Sequence, residues 1–369
     1  MLIGGFYHID MELIKSEPQS KMFPLRCDRN QNYDRKVYTN NGRTATVYAL
    51  QNGIKLEKGA IILVPDYLCI SVLNSLEVTE AEFRFYHINR DLTIDLEDLK
   101  EKLDEKVKVL YVIHYFGMPQ PRRVVEFIQK TKMEFDLWII EDLTQTLYTM
   151  EDGRIGFGDY LVASTRKWLP VTDGGLLAVR NGVPLEKKTL EEGYDEAVYR
   201  QLLISLARDQ VEKDKDADIA AYIKLEKEAN AARYLDFTPR KMTEATGRIL
   251  FQYDHLKSIQ KRRENYHALY EGLKGIEEVE LPVAQIDQKG NYVPFGFVVL
   301  VENRDEFYWY LAERGIIGEI QWILPTEYYR PGEAAQYLSD HNLMLSCDQR
   351  YGKEQMQYVI DTIKDYFRR

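Results

Sequence analysis

The segment "DYLVASTRKWLPVTDGGLLAVR", residues 159–180, holds two short apolar runs separated by a polar turn. The runs DYLVAS (159–164) and GGLLAVR (174–180) are short and mostly apolar, which is typical of buried strands. Between them lies Lys167, followed directly by Trp168. Most lysines in folded proteins are exposed charges. A lysine that follows a buried strand so closely is therefore a candidate for chemistry.

The alternation of strand and helix extends over residues 42–180. Further strands are predicted at GAIILVP (59–65), EFRFYHI (82–88), KVKVLYVIHYF (106–116) and DLWIIED (136–142). Helices are predicted between them at TATVYALQNG (44–53), LCISVLNSLE (68–77), DLEDLKEKLDE (95–105) and QPRRVVEFIQKTK (120–132). Thr93 and Asp95 supply a helix-start signal before the third helix. Regular alternation of this kind predicts an α/β domain with a doubly wound, mostly parallel sheet.

The remainder of the chain has a different pattern. Residues 199–235 are a long charged helical stretch, interpreted as a solvated helix pair with no binding role. Residues 246–273 predict one long helix that leads into a smaller α+β domain. Its strands are predicted at YVPFGFVVLV (292–301) and NLMLSCD (342–348), and its helices at RDEFYWYLAERG (304–315) and KEQMQYVIDTIKDYF (353–367). We therefore divide the chain into a large domain, 1–245, and a small C-terminal domain, 246–369.

Composition limits the classes of function. The chain has 369 residues, 45% hydrophobic and 29% charged, with a net charge of −10. An acidic chain without a basic stripe is not expected to bind nucleic acid. The cysteines Cys27, Cys69 and Cys347 are far apart and show no metal-binding spacing, so no metal site is expected. Their low number suits a reducing compartment. No signal peptide and no membrane-spanning run are recognised, so a cytoplasmic protein is expected.

Polar groups follow the predicted strands at the point where each strand ends. In an open parallel sheet, ligands bind beyond the carboxyl ends of the strands. The groups at those ends are Asp66 and Tyr67, His114 and Tyr115, Glu141, Asp142 and Gln145, and Ser164 to Lys167. Glu141 is expected to face away from Asp142, because side chains alternate along a strand.

A candidate anion site lies in NNGRTATVYALQ, residues 40–51, where Gly42 and small hydroxylated residues begin a helix. The exposed N–H groups and the dipole of a helix N-terminus favour anions, although Asn-Gly before a helix is also ordinary capping. Neither a dinucleotide nor a P-loop fingerprint is present. An anion site, a strand-end carboxylate and a strand-end lysine together suit pyridoxal 5'-phosphate (PLP).

The motifs at these strand ends resemble those of fold-type I PLP enzymes, and among them the DegT/DnrJ/EryC1/StrS family of sugar aminotransferases. The matching segments are NGRTATVYAL (41–50), VPDY (64–67), VIHYFGMP (112–119), IIEDLTQTL (139–147) and STRKWLPVTDGG (164–175), with looser agreement in KRRENYHALYEGL (261–273) and LSCDQRY (345–351). The resemblance covers nearly the whole chain in order. It implies an aspartate-aminotransferase-like fold with a small C-terminal domain, and a homodimer.

The resemblance also implies roles for individual residues. Lys167 would bond covalently to the cofactor and act as the base, and Asp142 would keep the ring nitrogen protonated. Gln145 would donate a hydrogen bond to the phenolic oxygen. The phosphate would be held by Gly42, Arg43, Thr44 and Ser164. Arg43 could instead reach the substrate, and Arg166 is as readily a surface residue as a further positive charge.

The position of the stacking residue is one of those that depart from the family. Relatives place an aromatic residue, which stacks on the cofactor ring, where this chain has Cys69. Tyr67, His114 or Tyr115 could supply the stacking face instead, and the sequence does not choose among them.

The expected function is an aminotransferase that moves an amino group, from a donor such as glutamate, to a keto group of a nucleotide-linked sugar. The alternatives are another fold-type I activity, such as an amino-acid aldolase or lyase, and a non-catalytic regulatory protein with the same fold. The sequence identifies neither the sugar nor the donor.

Overall fold

The computed structural model describes residues 2–5, 7, 9, 11–18, 23, 25–28, 30–150, 152–193, 196–214, 218–232, 236–283 and 290–368. Its strands are β1 Ile3–Gly4, β2 Arg35–Thr39, β3 Ile61–Pro65, β4 Glu82–Tyr86, β5 Val107–Ile113, β6 Trp138–Asp142, β7 Tyr160–Ser164, β8 Gly175–Val179, β9 Phe297–Leu300, β10 Ile316–Ile317 and β11 Asn342–Leu345. All six strands predicted between residues 59 and 180 are confirmed, and β2 was not predicted.

A sheet of seven strands in the order β2-β8-β7-β6-β5-β3-β4 forms the centre of the fold. Neighbours from β4 to β7 are parallel, while β8 is antiparallel to both β7 and β2. Strands β3, β7 and β8 are buried along their whole length, as expected for a sheet covered on both faces. The predicted mostly parallel sheet is confirmed, and its parallel strands end at the same edge.

The helices connect the strands and cover the sheet. They are α1 Met11–Lys15, α2 Gly42–Ala49, α3 Ile70–Leu76, α4 Leu96–Glu101, α5 Arg122–Phe135, α6 Glu196–Lys213, α7 Ile219–Ala232, α8 Glu244–Gln252, α9 His255–Leu273, α10 Arg304–Ala312, α11 Glu333–His341 and α12 Lys353–Phe367. The start signal before α4 is confirmed, because the Asp95 carboxylate accepts hydrogen bonds from the N–H groups of Glu97 and Asp98.

The long helix predicted over residues 246–273 is wrong as a single element. The structure has α8 and α9 there, separated by Tyr253 and Asp254. The backbone of Tyr253 is extended, and the Asp254 carboxylate accepts a hydrogen bond from the N–H of Lys257 at 2.9 Å. A side chain that caps a helix start favours a break at its own position.

The C-terminal part joins the N-terminal residues in a second contact region. Strands β9 and β11 form an antiparallel pair, and β1 pairs in parallel with β10. Arg208 of α6 is fully buried and donates to the carbonyl oxygens of Leu2 and Gly4. The N–H of Gly4 donates to the Tyr351 hydroxyl at 2.8 Å. These bonds tie α6 to residues from both ends of the chain.

In the part of the chain that the structure describes, every helix is too short or too polar to span a membrane.

Candidate active site

A cavity of about 670 Å³ opens at the carboxyl ends of β5, β6 and β7. Ile113, Asp142 and Ser164, the last residues of these strands, line its floor. Gly42 at the start of α2 and residues 317–323 of the C-terminal part also line it. Five of the predicted strand-end residues lie at this one cavity, where the topology of a parallel sheet places ligands: Asp142, Gln145, Ser164, Arg166 and Lys167.

Lys167 reaches this cavity from a single 3₁₀ turn, Thr165–Lys167, directly after β7. Its ammonium lies 5.8 Å from the centre of the Phe295 ring. Burial lowers the pKa of Lys167 from its ordinary value, because enclosure disfavours the charged amine, and the nearby acidic Glu319 opposes part of that shift. A lysine whose neutral form is favoured is a better nucleophile and base at neutral pH.

Trp168 fixes the turn that carries Lys167. Its indole is fully buried, and Nε1 donates to the carbonyl oxygen of Thr144 at 2.8 Å. The Tyr148 ring meets it edge-on with centroids 5.0 Å apart, and the Arg262 guanidinium lies over its face at 4.5 Å. Thr144 follows β6, so this bond connects the lysine turn to the strand that ends in Asp142.

Asp142 ends β6, and both of its carboxylate oxygens accept hydrogen bonds. One oxygen accepts from the Tyr111 hydroxyl at 2.8 Å, and the other from the N–H of Thr144 at 2.7 Å. Glu141 faces away, as predicted, and is fully buried. Its carboxylate accepts from three backbone N–H groups, at residues 156–158, and lies 2.8 Å from His114 Nε2. Because side chains alternate along β6, Asp142 faces the cavity, whereas Glu141 faces the other side of the sheet and holds the loop at residues 156–158.

The predicted anion site is the first turn of α2. Asn41 caps the helix, and its side chain accepts from the N–H of Thr44 at 3.0 Å. Gly42 and Arg43 line the cavity. A Cβ at residue 42 would lie 3.2 Å from the carbonyl oxygen of Ala163 and 3.3 Å from Cβ of Ser164, so the helix start and the end of β7 approach closely.

Thr44, predicted to bind phosphate with its hydroxyl, does not line this cavity. Its hydroxyl is buried and donates to the Asn40 side chain at 2.7 Å, and it also accepts from the N–H of Asn41 at 3.2 Å. The capping box therefore uses the hydroxyl group that the sequence pattern offers to an anion.

Ser164, Arg166, Gln145 and Cys69 all line the cavity. Gln145 is almost fully buried, and its Oε1 accepts from the N–H of Phe116 at 2.9 Å. Cys69 precedes α3, and its sulfur lies 3.1 Å from the Ser71 hydroxyl. The structure thus brings together these four residues with Lys167.

The three candidates for a stacking ring lie outside the cavity lining. Tyr67 is fully buried, and its hydroxyl donates to the carbonyl oxygen of Gln321. Tyr115 is buried and donates to the carbonyl oxygen of Tyr67 at 2.6 Å. His114 is enclosed between Glu141 and the N–H of Gln120, on the other face of the sheet from Asp142. Each of the three polar groups already has a partner within the protein.

Several cavity residues were missed by sequence analysis. Tyr111 lies on β5 two residues before Ile113, and period-two alternation from Ile113 would have found it. Glu319 and Trp322 come from a segment more than 150 residues beyond Lys167 in the chain, and no local pattern marks them.

The helix pair predicted within 199–235 is present as α6 and α7, and residues 215–217 and 233–235 of that stretch lie outside the described residues. Its interpretation as a merely solvated pair is wrong. Tyr222 and Ile223 of α7 belong to a buried cluster, and Ile223 and Lys227 line the cavity. Charge along the stretch hid an apolar face that packs against the N-terminal residues.

Comparison with known proteins gave a family match and distant relatives. The model of the DegT/DnrJ/EryC1/StrS aminotransferase family matches residues 30–364. A GDP-perosamine synthase of Vibrio cholerae is 23% identical over 149 residues, 39% of this chain and 40% of that protein. The protein of the same name from Escherichia coli O157:H7 is 22% identical over 176 residues, 46% of this chain and 48% of that protein. The chain thus spans about half the length, or less, of the curated relatives it matches.

A solved structure shares the whole fold. The sugar aminotransferase CalS13 from Micromonospora echinospora superposes with a TM-score of 0.68 at 16% identity, covering 99% of this chain and 100% of that chain. The predicted fold class is thereby confirmed.

Proposed function

Because the chain belongs to the DegT/DnrJ/EryC1/StrS aminotransferase family, we propose that it is a PLP-dependent aminotransferase that transfers an amino group to a keto group of a nucleotide-linked sugar. Glutamate is the amino donor in this proposal. The observation that carries it is the convergence of Lys167, Asp142, Ser164 and the N-terminus of α2 on one cavity.

The residues of the cavity fit PLP in charge and in hydrogen-bonding capacity. Gly42 and Arg43 form the first turn of α2, where the backbone N–H groups point out of the start of the helix. A phosphate dianion suits such a helix start, and the Ser164 hydroxyl stands beside it. Asp142 is a hydrogen-bonded carboxylate at the end of β6, which suits a protonated pyridine nitrogen.

Each of these residues then has a chemical task. Gly42, Arg43 and Ser164 would hold the phosphate, and Asp142 would keep a proton on the ring nitrogen. Lys167 would hold the cofactor covalently and would serve as the base that moves the proton at the substrate carbon. When bound, PLP supplies an electron sink for the bond that breaks at that carbon. Trp168 keeps the Lys167 turn in place during these proton transfers.

The charges around the cavity support an anionic sugar substrate. Arg43, Arg166, Lys227 and Arg304 line the cavity, and the diphosphate of a nucleoside diphosphate sugar would pair with these cations. The lining also holds four acidic residues, Asp142, Glu226, Asp305 and Glu319. The names of the two curated relatives, both GDP-perosamine synthases, point to the same substrate class.

Absorption spectroscopy tests the cofactor. Wild-type protein incubated with PLP and dialysed is expected to keep the visible band of cofactor bonded to a lysine. Lys167→Ala is expected to lose that band, whereas Lys100→Ala, which removes an exposed lysine of α4, is expected to keep it. A wild-type protein without the band, or a Lys167→Ala variant that retains it, contradicts the proposal.

A second measurement tests the substrate class. Protein loaded with the aminated cofactor, pyridoxamine 5'-phosphate, is mixed with keto sugars linked to nucleotides and with simple keto acids. Return of the PLP band reports amino transfer. The proposal expects return with at least one nucleotide-linked keto sugar and with 2-oxoglutarate. Return with keto acids alone would exclude the sugar assignment while leaving the aminotransferase assignment intact.

We also propose a homodimer. Tyr199, Leu202 and Leu203 on α6 are between 36% and 45% exposed, an unusual density of large apolar side chains on one helix surface. Sedimentation at micromolar concentration is expected to show a dimer, and Leu203→Glu is expected to weaken it. A wild-type monomer at that concentration contradicts this assignment.

A further inference from the structure

Three side chains that line the cavity form a hydrogen-bonded chain, which links the end of β6 to the C-terminal part. The N–H of Phe116 donates to Oε1 of Gln145 at 2.9 Å. Nε2 of Gln145 donates to Oε1 of Gln321 at 3.0 Å, and Nε2 of Gln321 donates to Oε2 of Glu319 at 2.9 Å. We call Gln145, Gln321 and Glu319 the amide relay.

The direction of this relay is determined at both ends. A backbone N–H can only donate, so Phe116 requires the oxygen of the Gln145 amide. An ionised carboxylate can only accept, so Glu319 requires the nitrogen of the Gln321 amide. Each glutamine amide has one orientation that satisfies both neighbours, and flipping either one would oppose two like groups. The assignment of nitrogen and oxygen therefore follows from the contacts themselves.

The backbone at Gln321 is also held on both sides. Its N–H donates to Oδ1 of the buried Asn342 at 2.6 Å, and its carbonyl oxygen accepts from the hydroxyl of the buried Tyr67. The backbone of Glu319 exchanges hydrogen bonds with Met344 at 2.9 and 2.8 Å. The Gln321 side chain is only 4% exposed, so it has little room to leave the relay.

An amide nitrogen carries two hydrogens, and the relay uses one of those on Gln145. Since Gln145 lines the cavity, its second N–H is available to a ligand oxygen there. We propose that Gln321 and Glu319 are positioning residues, which fix the Gln145 amide so that it offers an N–H, and not a carbonyl oxygen, to the phenolic oxygen of PLP. This proposal rests on the proposed function, because it takes PLP as the occupant of the cavity.

Through this relay, residues of the C-terminal part of the chain would influence how tightly PLP binds and at which pH it loses its proton. An N–H donated to a phenolic oxygen stabilises its negative charge, so the bound cofactor loses its proton at a lower pH. If the amide were free to rotate, its oxygen could face the phenolic oxygen and repel it. Gln321 and Glu319 would then affect the affinity and the protonation of PLP without contacting the substrate's reacting carbon.

A pair of substitutions tests the direction of the relay against simple electrostatics. Glu319→Lys replaces the carboxylate, which can only accept, by an ammonium group, which can only donate. Both ends of the relay, the Phe116 N–H and Lys at position 319, would then be donors, and the two amides between them cannot satisfy both. We expect this variant to bind PLP about five- to tenfold more weakly, the equivalent of about one hydrogen bond. Adding Gln321→Glu to this variant places a carboxylate between the Gln145 amide and the new lysine, and it can accept from both. We expect this double variant to recover most of the affinity for PLP. Electrostatics alone predicts the opposite at each step, because PLP is an anion.

Three further variants complete the experiment. Glu319→Gln keeps an acceptor and should stay within about twofold of wild type. Gln321→Met keeps the volume and the neutral charge but removes the relay, and the pH midpoint of the visible band should rise. Glu313→Lys makes the same charge change on an exposed residue outside the cavity lining and should leave both readouts unchanged.

The outcomes separate the two proposals. Wild-type protein that binds PLP, together with a Glu319→Lys variant of unchanged affinity or a double variant without recovery, overturns the relay alone. An unchanged midpoint in Gln321→Met also overturns it. Wild-type protein that binds no PLP overturns the proposed function and the relay with it.

Discussion

Lys167 has an environment that suits an amine more than an ammonium ion. No carboxylate forms an ion pair with it among the residues that the structure describes, and the Phe295 ring is beside it. Burial consequently lowers its pKa. The burial of Lys167 also lowers the stability of the cofactor-free protein, because a protonated amine must be desolvated on folding.

A stability measurement on cofactor-free protein checks this cost. The pKa of Lys167 is lower in the folded chain than its ordinary value of 10.5. Between those two values the unfolded chain binds more protons, so the free energy of unfolding rises with pH and is lowest below the folded pKa. Lys167→Met should therefore raise the free energy of unfolding by about 1–2 kcal/mol at pH 7. The excess in the free energy of unfolding of Lys167→Met over wild type should shrink as the pH approaches 10.5.

Urea unfolding of wild type and Lys167→Met at pH 7 and at pH 9.5 gives the difference in the free energy of unfolding at each pH. Lys58→Met, at an exposed position, is the control and should show neither the gain nor its pH dependence. A Lys167→Met variant that is less stable than wild type at pH 7 would contradict this account.

Residue-scale prediction from sequence succeeded where a side chain's direction follows from strand periodicity. Asp142 and Glu141 face opposite sides of β6, as expected. At Thr44 the sequence pattern could not choose between two roles, because a hydroxyl near a helix start serves equally well as a cap and as an anion ligand, and in the structure it donates to the Asn40 side chain. Sequence analysis did not find Glu319, which tertiary structure alone brings to the cavity.

Among the elements, the loop between β6 and β7 depends on one buried carboxylate. Glu141 accepts from the N–H groups of residues 156–158 and contacts His114. Glu141→Gln would turn an NH₂ group toward at least one of these donors and remove the charge. We expect a loss of about 3 kcal/mol in the free energy of unfolding, measured with urea, because hydrogen bonds to charged groups contribute about 1.5–3 kcal/mol each. The control is Glu277→Gln, which makes the same change at an exposed position and should alter the free energy of unfolding by less than about 0.5 kcal/mol.

The turn between β7 and β8 requires glycines for lack of space. A Cβ at residue 175 would lie 2.0 Å from the carbonyl oxygen of Asn41, the cap of α2. At residue 174, φ is +115° and a Cβ would lie 2.1 Å from the Thr165 hydroxyl oxygen. The glycine pair therefore lets the strand after Lys167 run against the start of α2.

Gly175→Ala tests this close approach. The methyl group must displace Asn41 and with it the first turn of α2, so inorganic phosphate and PLP should both bind at least about tenfold more weakly. Gly275→Ala is the matched control, because a Cβ there meets no atom within 4 Å. Isothermal titration of both variants measures the effect. Equal affinities in the two variants would show that the glycine pair has no part in anion binding.

At the scale of elements, the parallel strands β3, β5, β6 and β7 were predictable because each is a short, largely buried apolar run, whereas β4 is only partly buried. Strand β2 was missed since its sequence, RKVYT, carries two basic residues and only partial burial. The break between α8 and α9 was missed because the apolar spacing continues across Tyr253 and Asp254.

For the whole molecule, the contact region around Arg208 joins parts that are distant in sequence. Its guanidinium donates to Leu2 and Gly4, and it also reaches the Tyr351 hydroxyl at 3.4 Å. Arg208→Met should lower the free energy of unfolding by about 3 kcal/mol, because the carbonyl groups of Leu2 and Gly4 lose their donor. Arg200→Met, on the exposed part of the same helix, should stay within about 0.5 kcal/mol of wild type. Chemical denaturation monitored by tryptophan fluorescence compares them, and equal midpoints would contradict the assigned role.

The pairing of β1 with β10 has a consequence for the order of events on the ribosome. Residues 3 and 4 find their partners only after residues 316 and 317 have been synthesised. At about 5–20 residues per second, this delay is about 15–60 s. During that time the sheet strands from β2 to β8 can assemble without the amino end, which must wait for the last part of the chain.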